Sequence, residues 1–324
     1  MVNLVSFRRN EQSRELGIVK DNIVYTFMFY PNLNGSRKKT HNSLMSLIKT
    51  GNEHVGLINT IAEQYYAIKL ADEPKRAWKI SEVKLDTPVY HPTSLRDFYA
   101  FEQHVATANA NRGREVPKEW YEFPVFYFSN ANAIYGPDDA IPYLSYSDAL
   151  DYELEVACVI GKPGRDIPAD KAEEHIFGYM IFNDWSARDV QKLEMRVGLG
   201  PAKGKDFANS FGPYLVTPDE LADRHMGRPG VYDLEMIARV NGVEKSRGNW
   251  KDLYWSFGQM IERASQDVIL QPGDVIGSGT VGTGCLLELT KGDGPWLQPG
   301  DVVELEIERL GILRNVIGEK KIKT

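Results

Sequence analysis

Apolar and polar side chains alternate along Asp151-Tyr152-Glu153-Leu154-Glu155-Val156-Ala157-Cys158-Val159-Ile160, the pattern of a β-strand. Glu153, Glu155, Ala157 and Val159 would share one face, Leu154, Val156, Cys158 and Ile160 the other, and both faces turn apolar by the end. That implies a strand covered on both sides, with two carboxylates aimed into a partly enclosed space. Like charges two residues apart on a strand stand roughly 7 Å from each other and repel by about 2 kcal/mol at an effective dielectric of about 20. A positive group is therefore expected between them. The plainer alternative is a half-exposed strand with two solvated glutamates, and this stretch does not choose between the two.

Residues 1–86 read as a small mixed unit: strands over 2–7, 16–20 and 23–26, a polar loop over 31–35, and helical patterns around 44–48 and 55–65. His41 and His54 stand isolated among polar residues and suit the surface. Two prolines in 86–92 favour extended backbone and mark a connector, so the boundary is placed between 1–86 and 87–324. A helix is expected from Ser94, with Asp97 three residues on as in a capping box, and Phe98, Phe101, Val105 and Ala108 facing the core. On one helix Asp97 and His104 would lie on the same side, roughly 10 Å apart. They could bracket a ligand without touching.

After a mixed-charge loop over 109–122 comes an aromatic strand over 123–128. A short helix over 172–177, a buried strand over 178–184 ending on Asp184, and a helix from Trp185 follow. The phrase Leu-Gln-Pro-Gly-Asp-Val occurs at 270–275 and 297–302 as a reused turn before a strand. Gly277-Ser278-Gly279-Thr280-Val281-Gly282 matches a dinucleotide fingerprint, but 285–289 reads as a strand where a helix is required, and the match is set aside.

With 324 residues, 26% charged and 42% hydrophobic, the chain has the composition of a soluble globular protein. A net charge of -7 disfavours nucleic acid and anionic membranes as main partners. No run has the length of a transmembrane helix, and the N-terminus lacks the charged start and apolar core of a leader, so a cytoplasmic protein is expected. Cys158 and Cys285 each lie in an apolar run and read as buried thiols.

Asp97, Glu153, Glu155 and Asp184 then stand out as a set. All-oxygen donors, with neither cysteine nor a close-spaced histidine pair, suit a hard cation such as Mg²⁺, Ca²⁺ or Mn²⁺. The sequence resembles the fumarylacetoacetate hydrolase family at Asp97-Phe98-Tyr99, Gln103-His104, Glu153-Leu154-Glu155, Asn183-Asp184-Trp185-Ser186-Ala187-Arg188-Asp189 with Gln191, Gly204-Lys205, Ser278-Gly279-Thr280 and Gly311-Ile312-Leu313-Arg314-Asn315. The likeness runs from about residue 90 to the C-terminus.

The resemblance implies an α+β, mostly β chain: a mixed β-sandwich roll of the fumarylacetoacetase C-terminal type behind a small N-terminal domain. It implies that Asp97, Glu153, Glu155 and Asp184 hold a divalent metal and that His104, oriented by Glu288, activates water. Arg188, Gln191 and Lys205 would stabilise an oxyanion, and Tyr127, Thr280 and Arg112 would hold the substrate's carboxylate end. The metal site is expected at an open end, closed over by the 109–122 loop. Departures from the family pattern at Ala100, Phe101, Glu102 and Met195 leave the substrate's far end open.

The expected activity is hydrolysis of a carbon–carbon bond in a small diketo acid, fumarylacetoacetate or an acylpyruvate, as in aromatic amino acid catabolism. A decarboxylase, hydratase or isomerase of a 2-oxo acid is the alternative, and a structural Ca²⁺ site in a binding protein is the non-enzymatic one. A homodimer is implied by resemblance alone.

Overall fold

A computed structural model of the chain describes residues 2–9, 14–26, 43–50 and 77–320. The expected 31–35 loop, the 55–65 helical pattern, His41 and His54 lie outside them. The described residues are mostly β, in two large mixed sheets and a two-stranded pairing.

The first sheet runs in the order Ala77–Lys79, Ile23–Thr26, Glu15–Lys20, Asn3–Arg8, Asn209–Val216, Ile176–Asp184, Leu154–Ile160, Val275–Gly277, Leu95–Phe98, Phe126–Phe128. Asn3 pairs with Val216, so strands on either side of the expected 86/87 boundary share one sheet. The second sheet holds Val243–Asn249, Glu235–Val240, Val302–Ile307, Gly311–Lys320 and Ala140–Tyr143. Val156 and Ile181 of the first sheet pack with Met236, Leu305 and Leu313 of the second in one core. On the opposite face Ala157, Val159 and Phe182 pack with Leu4 and with Leu44 and Leu47 of the Leu44–Ile48 helix. Every residue of Leu154–Ile160 and Ile176–Asp184 is therefore buried, as expected for strands covered on both sides.

The two Gln-Pro-Gly-Asp phrases behave alike. Gly273 and Gly300 take φ of +93° and +88°, and Asp274 and Asp301 each accept the backbone N–H three residues back, at 2.8 and 2.7 Å, before the next strand starts.

Three local expectations are corrected. Residues 94–98 are not a helix: Leu95–Phe98 is a strand between Val275–Gly277 and Phe126–Phe128, and the helix, Glu102–Ala110, begins behind Phe101. Phe98, Phe101 and Val105 are all buried, so the spacing that suggested one helix is shared by a strand end and a helix. The aromatic strand is confined to Phe126–Phe128, the part that pairs with Leu95–Phe98. The third correction is at 285–289, where a four-residue helix, Leu286–Leu289, replaces the expected strand. The backbone N–H groups of Leu286 and Leu287 donate to the carboxylate of Asp151, at 2.8 and 3.0 Å, so a distant acid satisfies the helix start. The dinucleotide match thus loses the reason first given against it. Another replaces it: the Gly279 N–H donates to the carboxylates of Asp97 and Glu155, at 3.2 and 3.1 Å, which makes the loop a carboxylate cradle.

Candidate active site

Four buried acids converge where the central strands end. Glu155 lies in Leu154–Ile160 and Asp97 two strands away, with Gly277 paired to Asp97 on the strand between. A Cβ at Gly277 would stand 2.5 Å from Asp97 Oδ1, so only glycine lets that carboxylate cross. Glu153 just precedes the Leu154–Ile160 strand, its N–H held by Asn183 Oδ1 at 2.9 Å, and Asp184 closes the neighbouring strand. One carboxylate oxygen from each of Asp97, Glu153, Glu155 and Asp184 lies within 4.8 Å of the others.

The positive group expected between the glutamates is a pair. Lys205 Nζ donates to Glu153 Oε2 at 2.5 Å and to Asp184 Oδ2 at 2.6 Å. Arg188, first residue of the Arg188–Glu194 helix, donates from Nη2 to Glu153 Oε1 and from Nε to Asp151 Oδ2, both at 2.8 Å, and from Nη1 to Gln191 Oε1 at 3.0 Å.

These two cations do not balance the acids. Burial opposes ionisation of Glu153, yet Lys205 and Arg188 outweigh it and hold this carboxyl below its usual range. Burial raises Asp97, with the Asp184 charge adding to it, and raises Glu155, with the Asp97 charge adding to it. Asp184 is raised by burial despite Lys205. Buried Glu155 Oε1 and Asp184 Oδ1 have no donor reaching them among the described residues. Unsatisfied oxygens in an all-carboxylate set fit a hard divalent cation, which would lower all of these values together.

Beside the acids, His104 Nδ1 stands 2.7 Å from Glu288 Oε2, at an angle outside hydrogen-bond geometry, and both side chains are buried. The Cys285 thiol donates to the same Glu288 oxygen at 3.7 Å. Both cysteines are free and buried, as expected, and burial pushes both thiols up. A cleft of about 360 Å³ opens above, lined by the acids Asp97, Glu153 and Glu155, by His104, Arg188, Gln191, Lys205, Tyr127, Thr280 and Arg112, and by an apolar wall that includes Val125, Phe126, Met195 and Leu199. The Tyr127 hydroxyl donates to Asp184 Oδ2.

Residues 93–318 match the family described as "Fumarylacetoacetate (FAA) hydrolase C-terminal". The chain belongs to the fumarylacetoacetate hydrolase family. It is similar to the fumarylacetoacetase of Oryza sativa subsp. japonica, 33% identical over 256 residues that cover 63% of this chain and 59% of the relative. It thus spans under two thirds of that relative's length. It is also similar to the oxaloacetate tautomerase YisK of Bacillus subtilis, 31% identical over 281 residues, 85% of this chain and 86% of the relative. Among solved structures, the fumarylacetoacetate hydrolase of Exiguobacterium antarcticum superposes with a TM-score of 0.71 at 26% identity, covering 99% of this chain and 100% of that one.

As a member of the fumarylacetoacetate hydrolase family, the chain brings all twelve residues singled out from the sequence to one place: eleven line the cleft or the acid cluster beneath it, and Glu288 backs His104. Asp97 reaches it from a strand and Glu288 from a short helix, which corrects the elements expected for both. The covering segment is corrected too. From the expected 109–122 loop only Arg112 lines the cleft, because Trp120 is buried against Tyr254 and Trp255, whereas Met195, Leu199, Gly200 and Pro201 line it from the other side. Of the four departures from the family pattern, Ala100 and Phe101 enter the core, Glu102 accepts from the Tyr121 hydroxyl at 2.8 Å, and Met195 alone lines the cleft.

Sequence reasoning missed Asp151, fully buried and bonded to Arg188. Its signal was present: an acid at the start of a stretch that turns apolar on both faces is seldom buried without a partner.

Proposed function

We propose that this chain is a divalent-metal-dependent enzyme that hydrolyses a carbon–carbon bond in a small diketo acid of the fumarylacetoacetate or acylpyruvate type. The observation that carries the reading is a buried His104–Glu288 pair at the edge of a four-acid cluster, inside a cleft. Asp97, Glu153, Glu155 and Asp184 would hold the cation, which when bound supplies a Lewis acid that draws charge onto substrate oxygens. His104 takes a proton from water, and the Glu288 carboxylate behind it stabilises the imidazolium that forms. The water oxygen bonds to one ketone carbon and the bond from that carbon to its neighbour breaks. The electron pair leaves with the neighbour as an enolate, to which His104 returns the proton. Arg188, Gln191 and Lys205 line the cleft and donate hydrogen bonds to the oxyanion as charge develops. Tyr127, Thr280 and Arg112 orient the carboxylate end. The work is cytoplasmic and the chain acts as a homodimer in this reading.

The second reading is isomerisation, decarboxylation or hydration of a 2-oxo acid, and its isomerisation form is favoured by the tautomerase relative, whose match covers most of both chains. Incubation of the Mg²⁺- or Mn²⁺-loaded protein with fumarylacetoacetate, acylpyruvates and oxaloacetate separates the two by chromatography and product mass. Two carboxylic fragments support hydrolysis. A chromatographically distinct isomer of unchanged mass, loss of carbon dioxide, or gain of one water without cleavage overturns it in favour of the second.

A further inference from the structure

Asp151 takes no part in the proposed chemistry and is fully buried. Its Oδ2 accepts from Arg188 Nε at 2.8 Å and from the Leu287 N–H at 3.0 Å, and its Oδ1 accepts from the N–H groups of Leu286 at 2.8 Å and Tyr152 at 2.9 Å. One carboxylate thereby joins two groups of the site by hydrogen bonds. On one side is the guanidinium that also grips Glu153 and Gln191. On the other is the first turn of the helix Leu286–Leu289, whose third residue, Glu288, backs His104. Four residues make barely one turn, and such a turn does not hold its own geometry in water. Its first two N–H groups have no partner within the helix, and Asp151 supplies one to both.

We infer that Asp151 is a positioning residue that fixes the Glu288–His104 pair and the Arg188 donor relative to each other. The inference rests on the reading of His104 as the base. Placing a general base and an oxyanion donor on one buried support sets the distance between them, which is where much of an enzyme's rate enhancement resides. A carboxylate accepting four donors has both oxygens committed. Asn in its place keeps one acceptor oxygen and turns a donor toward the other donors, so Arg188 and the helix start cannot both be held.

The test uses full-length protein loaded with Mg²⁺ or Mn²⁺. D151N is expected to lower kcat by at least tenfold with KM for the diketo acid changed by less than threefold. In an E288Q background the same substitution is expected to cost less than it does in wild type, because one of the two groups it positions is already disabled and only the Arg188 share remains. The ¹⁵N-histidine spectrum gives a readout independent of turnover: the His104 Nδ1 signal, assigned by its loss in H104A, is expected to move in both D151N and E288Q. If D151N does not fold, D151E is measured instead. It keeps the buried charge for Arg188 but is one methylene too long for the helix start, and the same kcat loss and spectral shift are expected. Full kcat in the folded variant, an equal loss in the E288Q background, or an unmoved His104 signal overturns the inference. If wild type turns over none of the acids, the reading of the reaction fails, and the spectral comparison still decides for or against Asp151.

Discussion

Lys205 Nζ lies 2.6 Å from Asp184 Oδ2, inside a cluster of carboxylates that burial otherwise pushes toward protonation. Burial opposes the ammonium as well, yet the charges of Asp184 and Glu153 raise its pKa above the usual lysine value. Lysine and acids are each tolerable only in the other's presence.

Removing that cation leaves uncompensated buried charge. Lys205→Met is expected to destabilise the metal-free protein by about 3–5 kcal/mol, read as a fall in the urea midpoint. Added Mg²⁺ or Mn²⁺ should recover part of the loss. An unchanged midpoint would mean that Lys205 does not compensate the cluster.

A cation that binds only the folded state raises stability with its concentration, by about 2.7 kcal/mol at a hundredfold excess over Kd. Melting temperature should therefore rise with Mn²⁺ or Mg²⁺ and fall on chelation, and the response should vanish in the double variant Glu155→Gln, Asp184→Asn. A response that survives in this variant places the ion elsewhere.

His104 sits outside the four-acid set, so base and metal site are separable. His104→Ala should lower turnover about 10²- to 10⁴-fold while the metal-dependent rise in melting temperature stays within error of wild type. Unchanged turnover removes His104 from the mechanism.

Gly279 has φ +76°, and a Cβ there would stand 2.5 Å from the carbonyl oxygen of Phe98. Gly279→Ala should cost about 1–3 kcal/mol and weaken Mn²⁺ binding, because the loop N–H that Asp97 and Glu155 share would shift. Urea denaturation and metal titration of the same sample measure both.

Glu194 accepts the N–H groups of Ala202, Lys203 and Gly204 at 3.0, 2.6 and 3.0 Å, closing the base of the segment that carries Met195 and Leu199. Burial is the largest single influence and opposes its ionisation, but the three donors together prevail and its pKa is lowered. A lowered carboxyl contributes stability above its unfolded pKa, about 4.3, and loses it as pH falls through the folded value. Cleavage of this segment by an acid-active protease should rise as pH falls below about 4 in wild type. In Glu194→Gln it should be high and pH-independent, and identical profiles for the two proteins would dismiss the clasp.

The sequence by itself marked the central strands and the candidate residues, and left open whether 151–160 was covered on both faces. Alternation marked 151–160, the run to Asp184 marked a strand ending on an acid, and the repeated Gln-Pro-Gly-Asp phrase marked two turns, because each signal is local: side-chain period, turn chemistry, charge in an apolar context. The four acids stood out by residue type and context, while the His104–Glu288 pair followed from resemblance to the family rather than from spacing.

Only the tertiary structure decided the elements that carry Asp97 and Glu288, the segment that walls the cleft, and the hydrogen-bond partners of Asp151. Leu95–Phe98 is extended because strands flank it on both sides, and Leu286–Leu289 is helical where Asp151 receives its first two N–H groups. Backbone groups must find partners wherever the chain is buried, and when those partners come from distant parts of the sequence no local pattern records the choice.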